Sequence, residues 1–148
     1  MSRLQELGIT LPPVAAPVAA YVPAVRAADQ VWTSGQLPFV DGALPVVGKV
    51  GAEVSLEDAE AAARTAALNA LAAIDAQVGI DNVKSVLKVV VFVASAPDFY
   101  EQPQVANGAS NLMEEVFGEA GRHSRAAVSA PSLPFGVAVE IEAVFEVR

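Results

Sequence analysis

Arg125, Glu140 and Glu142 are the side chains of this sequence best suited to hold and turn over a small charged molecule. A guanidinium presents a planar fork of N–H donors that grips both oxygens of a carboxylate, and a glutamate can position or deprotonate water. Residues 124–130 are small and extended in character. Residues 137–147 alternate strictly, with Val137, Val139, Ile141, Ala143, Phe145 and Val147 on one side and Glu140, Glu142 and Glu146 on the other. The Pro-bounded link 131–136 is short, which predicts that the two segments are antiparallel neighbours. Directly opposed residues share a face, so Arg125 is expected beside Glu140 and Glu142.

Two chemistries fit that pairing. One is a strand-pair salt bridge that fixes register, contributing about 0 to 1 kcal/mol if exposed. The other is a carboxylate clamp, because Arg125 follows a stretch, 118–121, with glycine at both ends that is predicted to be mobile, and lies near a strand end where a cleft could form. His123 is either a proton donor to such a cleft or an exposed loop residue.

The composition narrows the field. Nine Lys and Arg against seventeen Asp and Glu give a formal charge of −8, and no basic cluster is present to displace counterions from nucleic-acid phosphates. Cysteine is absent, which excludes disulfides, thiolate nucleophiles and thiolate metal sites. The single histidine falls short of the two or three that a catalytic zinc centre ordinarily uses. No apolar run reaches the roughly 18 residues of a membrane span; the oily stretch 12–25 is broken by Pro12, Pro13, Pro17 and Pro23. The first residues lack the basic start and apolar core of a signal peptide, so a cytoplasmic location is expected. Hydrophobic residues make up 53% of the chain, more than a small acidic monomer readily hides, so some of that surface is expected to lie between subunits.

The elements that must position these residues follow from periodicity. One domain is expected over 1–148, with a short helical turn at 2–8 and a stiff extended lead-in that ends at Pro17. Strands are predicted over 18–26 and 30–36, joined at Ala27, Ala28 and Asp29. Asp41-Gly42 marks a tight turn. Ser55 suits the N-cap of a long alanine-rich helix that stops at Gly79, and its small side chains allow close approach to a sheet. The continuous apolar run 89–94 reads as a strand covered on both faces, by helices on one side and by partner subunits on the other. A second helical region begins near Pro97, with Pro103 interrupting it or lying in its first turn, and ends at Gly118. The order ββ-α-β-α-ββ implies an α+β sandwich: a mixed, mostly antiparallel sheet with two helices on one face.

Three further positions each carry two readings. Ser34 can satisfy a local backbone group while Gly35 marks a bulge or a close approach; alternatively the pair lines a cleft. Tyr21 is a half-buried ring with its hydroxyl at a rim, or a surface on which a planar ligand stacks. Asn107-Gly108 reads first as turn or cap chemistry, with Asn111 an alternative for any role in binding.

Arg125-x-x-Val128, the Leu133-Pro134 turn and Glu140-Ile141-Glu142-Ala143, with Tyr21-Val22 and Ser34-Gly35-Gln36-Leu37-Pro38 near the start, resemble the RidA family (YjgF, YER057c, UK114) over nearly the whole chain. The resemblance implies a chorismate-mutase-like fold, a homotrimer whose sheets close around a central barrel, and ligand clefts between subunits. It also implies hydrolysis of reactive 2-imino acids, or their enamine tautomers, to 2-oxo acids and ammonia, without metal or organic cofactor. In that chemistry Arg125 clamps the substrate carboxylate and Glu140 handles the attacking water. Tyr21, Ser34 and Gly35 shape the cleft, Asn107 faces it, and the backbone at Ala127 contributes polar contacts. A non-catalytic trimer that binds or senses small carboxylates is the alternative. Many family members carry a cysteine where this chain has Ala127, and the 99–125 segment is longer than the family's usual spacing; both features mark a divergent subgroup.

Overall fold

The computed structural model describes residues 2–14 and 20–148. Short helix α1 (Arg3–Glu6) is closed by a capping box between Ser2 and Gln5. Strands β1 (Ala24–Ala27) and β2 (Gln30–Thr33) form a hairpin through Ala28 and Asp29. Helix α2 (Leu56–Val78), strand β3 (Val83–Ala94), helix α3 (Gln102–Phe117), strand β4 (Ser124–Ala130) and strand β5 (Val139–Val147) follow. The five strands make one sheet in the order β1-β2-β5-β3-β4. Only β3 and β4 run parallel; the other pairs are antiparallel. This is the expected α+β sandwich.

The sheet overturns one expectation on which the sequence reading of the site depended. Strands β4 and β5 are not neighbours, because β3 lies between them. Its long apolar run loses most by being left at an edge, and it pairs on both sides, parallel to β4 through the α3 crossover and antiparallel to β5. The link after Ala130 steps across one strand spacing of about 4.8 Å on each side of β3, so its shortness does not demand adjacency.

Ser55 caps α2 as its sequence predicts, its hydroxyl accepting from the Asp58 N–H at 3.1 Å. The helix buries a face of Ala59, Ala63, Ala66, Ala67 and Ala70 with Leu71 and Ile74, against the part of the sheet that holds Val31, Ile141 and Phe145, while Val89 and Val91 of β3 join the same core beside α3. Among the described residues, no element covers the opposite sheet face. Val25, Trp32 and Val128 are exposed there, and Val90, Phe92 and Val144 are half-buried around Glu140 and Glu142. Burial of the apolar run of β3 is therefore one-sided within this chain.

Several boundaries shift. The first strand occupies only Ala24–Ala27 among the described residues; its expected start at residues 18 and 19, and the end of the Pro-rich lead-in at 15–17, lie outside them. Strand β2 stops at Thr33, after which Ser34, Gly35 and Gln36 touch β5 through a single bridge between Gln36 and Ile141. Asp41 and Gly42 both have positive φ and form the tight turn. Helix α3 begins at Gln102, with Pro103 in its first turn. Asn107 and Gly108 are inside α3 and make no turn: Gly108 is there for packing, since a Cβ would fall 2.0 Å from the Glu60 carbonyl oxygen on α2. The stretch after α3, Gly118–Gly121, is a 3-10 turn with Gly121 buried against the Met113 backbone.

Gly108→Ala should therefore reverse the usual sign of a helical glycine substitution. An unobstructed change stabilises by about 0.5–1 kcal/mol, whereas here forced separation of α2 and α3 should cost about 1–3 kcal/mol. Urea unfolding of the variant beside wild type measures the difference; a raised midpoint would show that the helices are not packed this closely.

Candidate functional site

The residues singled out by sequence fall into two groups on opposite faces of the sheet. Arg125 is the second residue of edge strand β4 and pairs with Val89, on the helix-covered face. Glu140 is the second residue of β5 and pairs with Phe92, on the bare face. Between Val89 and Phe92 the register is regular, and three residues along a strand inverts the side-chain direction. Across β3 and along the strands, the two backbones are separated by roughly 10 Å in each direction. Neither the expected cross-strand salt bridge nor a joint Arg125–Glu140 cleft forms within one chain, because both required β4 beside β5.

The first group is held by α3. Arg125 is exposed, but one nitrogen is tied down: Nη1 donates to Asn107 Oδ1 at 2.8 Å and to Ser110 Oγ at 3.2 Å. Nε and Nη2, which form the fork on the other side of the guanidinium, have no partner among the described residues. Ser110 also meets His123 Nε2 at 2.9 Å, and His123 Nδ1 lies 2.7 Å from the Gly121 carbonyl oxygen. Asn111 lines the same groove of about 450 Å³, together with Glu114 and Arg122, which pair at 3.2 Å. Asn107 thus takes part through Arg125, while Asn111 borders the opening.

Ser110 carries no signal of its own in the sequence, and of the two readings of His123, proton donor or exposed loop residue, the second does not hold. His123 is half-buried and bonded at both ring nitrogens. The missed signal is the polar row Asn107, Ser110, Asn111, Glu114, spaced as one face of a helix. It was obscured by reading Asn107-Gly108 as a turn. Ala127, half-buried on the same edge strand, pairs with Val91.

The second group surrounds Glu140. Gly35 leaves space for its carboxylate: a Cβ on Gly35 would lie 2.2 Å from Glu140 Oε1. Burial, and then repulsion from Glu142, raise the Glu140 carboxyl above its ordinary pKa. Ser34 donates its hydroxyl to the Val22 carbonyl oxygen, and its N–H bonds the Pro23 carbonyl oxygen at 2.8 Å, so the local reading of Ser34 holds. These bonds draw the segment containing Tyr21, itself exposed, toward Gly35. Farther along, buried Asn69 of α2 donates to the carbonyl oxygens of Leu37 and Phe39 at 2.8 and 3.2 Å, fixing the chain that leaves Gln36.

Among the described residues no three of His, Cys, Asp or Glu converge as a metal-ligand set, and no helix is long and apolar enough to cross a membrane.

Comparison with known proteins places this architecture. Protein TCP17 of Trypanosoma cruzi is 47% identical over 149 residues, covering 99% of this chain and 93% of that protein. The crystal structure of Atu1372, a protein with unknown function from Agrobacterium tumefaciens, superposes with a TM-score of 0.91 at 45% identity, over 99% of this chain and 91% of that one. The structure of E. coli TdcF with bound serine superposes less closely, with a TM-score of 0.64 at 28% identity over 93% and 94% of the two chains. The sequence pattern of the family described as "YjgF/chorismate_mutase-like, putative endoribonuclease" matches residues 1–145. With nearly the full length matched in sequence and in fold, this chain belongs to the YjgF/chorismate-mutase-like family.

Proposed function

We propose that this protein hydrolyses reactive 2-imino acids, or their enamine tautomers, to 2-oxo acids and ammonia, in clefts built between copies of the chain in a homotrimer. The observation that carries the reading is the guanidinium of Arg125, anchored through Nη1 while the Nε–Nη2 edge faces outward. That edge matches the two oxygens of a carboxylate. In a chain of charge −8, an anionic substrate needs such a local cation.

Glu140 lies on the other face, so a complete site requires Arg125 of one copy to meet Glu140, Gly35, Ser34 and Tyr21 of the next. The bare sheet face supplies the reason to associate. Burying Val25, Trp32, Val128 and their half-buried neighbours contributes about 25 cal/mol for each Å² of apolar surface removed from water. Closing the sheets around a common axis would bring that face of each protomer against its neighbour's edge.

The chemistry is then simple. Arg125 holds the carboxylate and orients the C=N carbon, with contacts from the backbone near Ala127 and from Asn107 by way of Arg125. Ionised Glu140 takes a proton from water as its oxygen adds to that carbon; the C=N π pair moves to the nitrogen, which takes that proton from Glu140, giving a carbinolamine. Collapse of that adduct breaks the C–N bond and forms C=O, the hydroxyl proton passing by way of Glu140 to the nitrogen, which leaves as ammonia. One water is consumed and no electrons are transferred. Imines hydrolyse spontaneously, so a clamp and one placed base suffice.

A second reading has a specific support, the serine bound to E. coli TdcF: the cleft could bind or sense small carboxylates without turnover. The endoribonuclease in the family's description fits this chain less well. A backbone-binding nuclease needs a basic groove, and Arg122 beside Arg125 is already engaged by Glu114.

In an assay that follows disappearance of 2-aminoacrylate released by a pyridoxal-phosphate enzyme, Arg125→Ala should lower kcat/KM by about 100-fold or more. Arg125→Lys should not restore it, since an ammonium has no fork. Equilibrium binding of 2-oxo acids with no acceleration by wild type would select the non-catalytic reading. Glu140→Gln should lower the rate by about 10²- to 10⁴-fold, and the wild-type rate should fall as pH drops through the raised Glu140 pKa. Stability has the opposite sign. A carboxyl whose folded pKa is raised is favourable in its protonated form and loses that contribution as pH rises through the folded value. Glu140→Gln should accordingly raise Tm at about pH 7 and give no gain below the ordinary carboxylate range. A Tm difference independent of pH would contradict the raised pKa.

A further inference from the structure

We propose that Ser110 and His123 are positioning residues for Arg125, forming a directed hydrogen-bond chain that determines which edge of the guanidinium is offered to a carboxylate. The proposal rests on the clamp reading of Arg125 and adds two residues to it.

The direction of the chain follows from chemistry at its ends. The Gly121 carbonyl can only accept, so His123 carries its proton on Nδ1, 2.7 Å away. Neutral His123 then has Nε2 as an acceptor. Arg125 can only donate, so Ser110 Oγ accepts from Nη1 at 3.2 Å. The Ser110 proton is thereby free for His123 Nε2 at 2.9 Å. Each bond settles the next: Arg125 N–H to Ser110, Ser110 O–H to His123, His123 N–H to Gly121. Asn107 Oδ1 takes the second Nη1 hydrogen at 2.8 Å. With both hydrogens of one nitrogen committed to α3, rotation of the guanidinium is blocked and the Nε–Nη2 edge points away from the helix.

The far end is rigid. Gly121 is buried, and a Cβ there would fall 2.1 Å from the Met113 carbonyl oxygen, so the carbonyl that orients His123 is fixed by contact with α3 itself. The charged groups that share the groove are Glu114 on α3, Arg122 beside His123, and Arg125 on β4. Glu114 is taken by Arg122 at 3.2 Å, which leaves Arg125 to an incoming anion. Removing the serine hydroxyl would leave Nη1 with one acceptor and free the fork to swing. A long side chain so released gives up pre-organisation, and with it affinity.

His123 is the sole histidine of the chain, so its imidazole resonances are unambiguous in full-length protein. In ¹⁵N-labelled wild type at a pH where the ring is neutral, Nδ1 should be the protonated nitrogen, and saturating 2-oxobutanoate should shift the ring signals. Calorimetric titration with 2-oxobutanoate should show about threefold to tenfold weaker binding for Ser110→Ala and His123→Phe, and near wild-type binding for Ser110→Thr. Arg125→Ala should not bind. If Ser110→Ala and His123→Phe bind like wild type while Arg125→Ala does not, or if the neutral ring carries its proton on Nε2, the relay is overturned and the clamp stands. If Arg125→Ala binds as well as wild type, the clamp fails and the relay fails with it. The tautomer is read from wild type alone, so poor folding of a variant does not remove the test.

Discussion

Everything proposed for this protein depends on a single half-satisfied guanidinium. Were Arg125 fully engaged by its own chain, it would be a structural ion. Were it unheld, it would lose rotamer freedom on binding and grip weakly. Helix α3 resolves this by taking both hydrogens of Nη1 and leaving the remaining fork outward. The edge position of β4 matters as much, because a strand with no neighbour on one side keeps that side accessible.

The close fit of α2 against α3 is what allows that grip to be accurate. Gly108 lets the helices approach until only a hydrogen fits at the contact with Glu60, and Gly121 brings the segment entering β4 onto the end of α3 in the same way. Asn107 and Ser110 flank Gly108 on this helix, so the glycine that sets the helix depth also sets the height of the acceptors. The frame of the candidate site is a packing constraint first and a hydrogen-bond network second.

On the other face, the physical tension runs the opposite way. Glu140 sits beside Phe92 of β3, partly desolvated and repelled by Glu142. A sheet face that would be better packed with an apolar side chain keeps a carboxylate whose ionisation is penalised. Gly35 reinforces the point by leaving space for that carboxylate. Such a group suits proton transfer at a pH closer to neutral than an ordinary glutamate would.

Much of the fold was legible in the residues. Periodicity announced the helix from Ser55 to Gly79, the apolar strand β3 and the alternating strand β5, because each of those signals is local and repeats over many residues. The charge balance and the absence of cysteine narrowed the chemistry in the same local way. Pairing was not legible: a short link between β4 and β5 read as a hairpin, while the actual order depended on β3 claiming both as neighbours, a competition among distant segments that no window of sequence contains. That one decision put Arg125 and Glu140 on opposite faces. It also hid the partnership of Ser110 and His123, which are joined only when a helix and a strand entry fold against each other. Residue types determined which groups could act; three-dimensional packing decided which of them meet, since side-chain contact is set by strand order and helix depth rather than by separation along the chain.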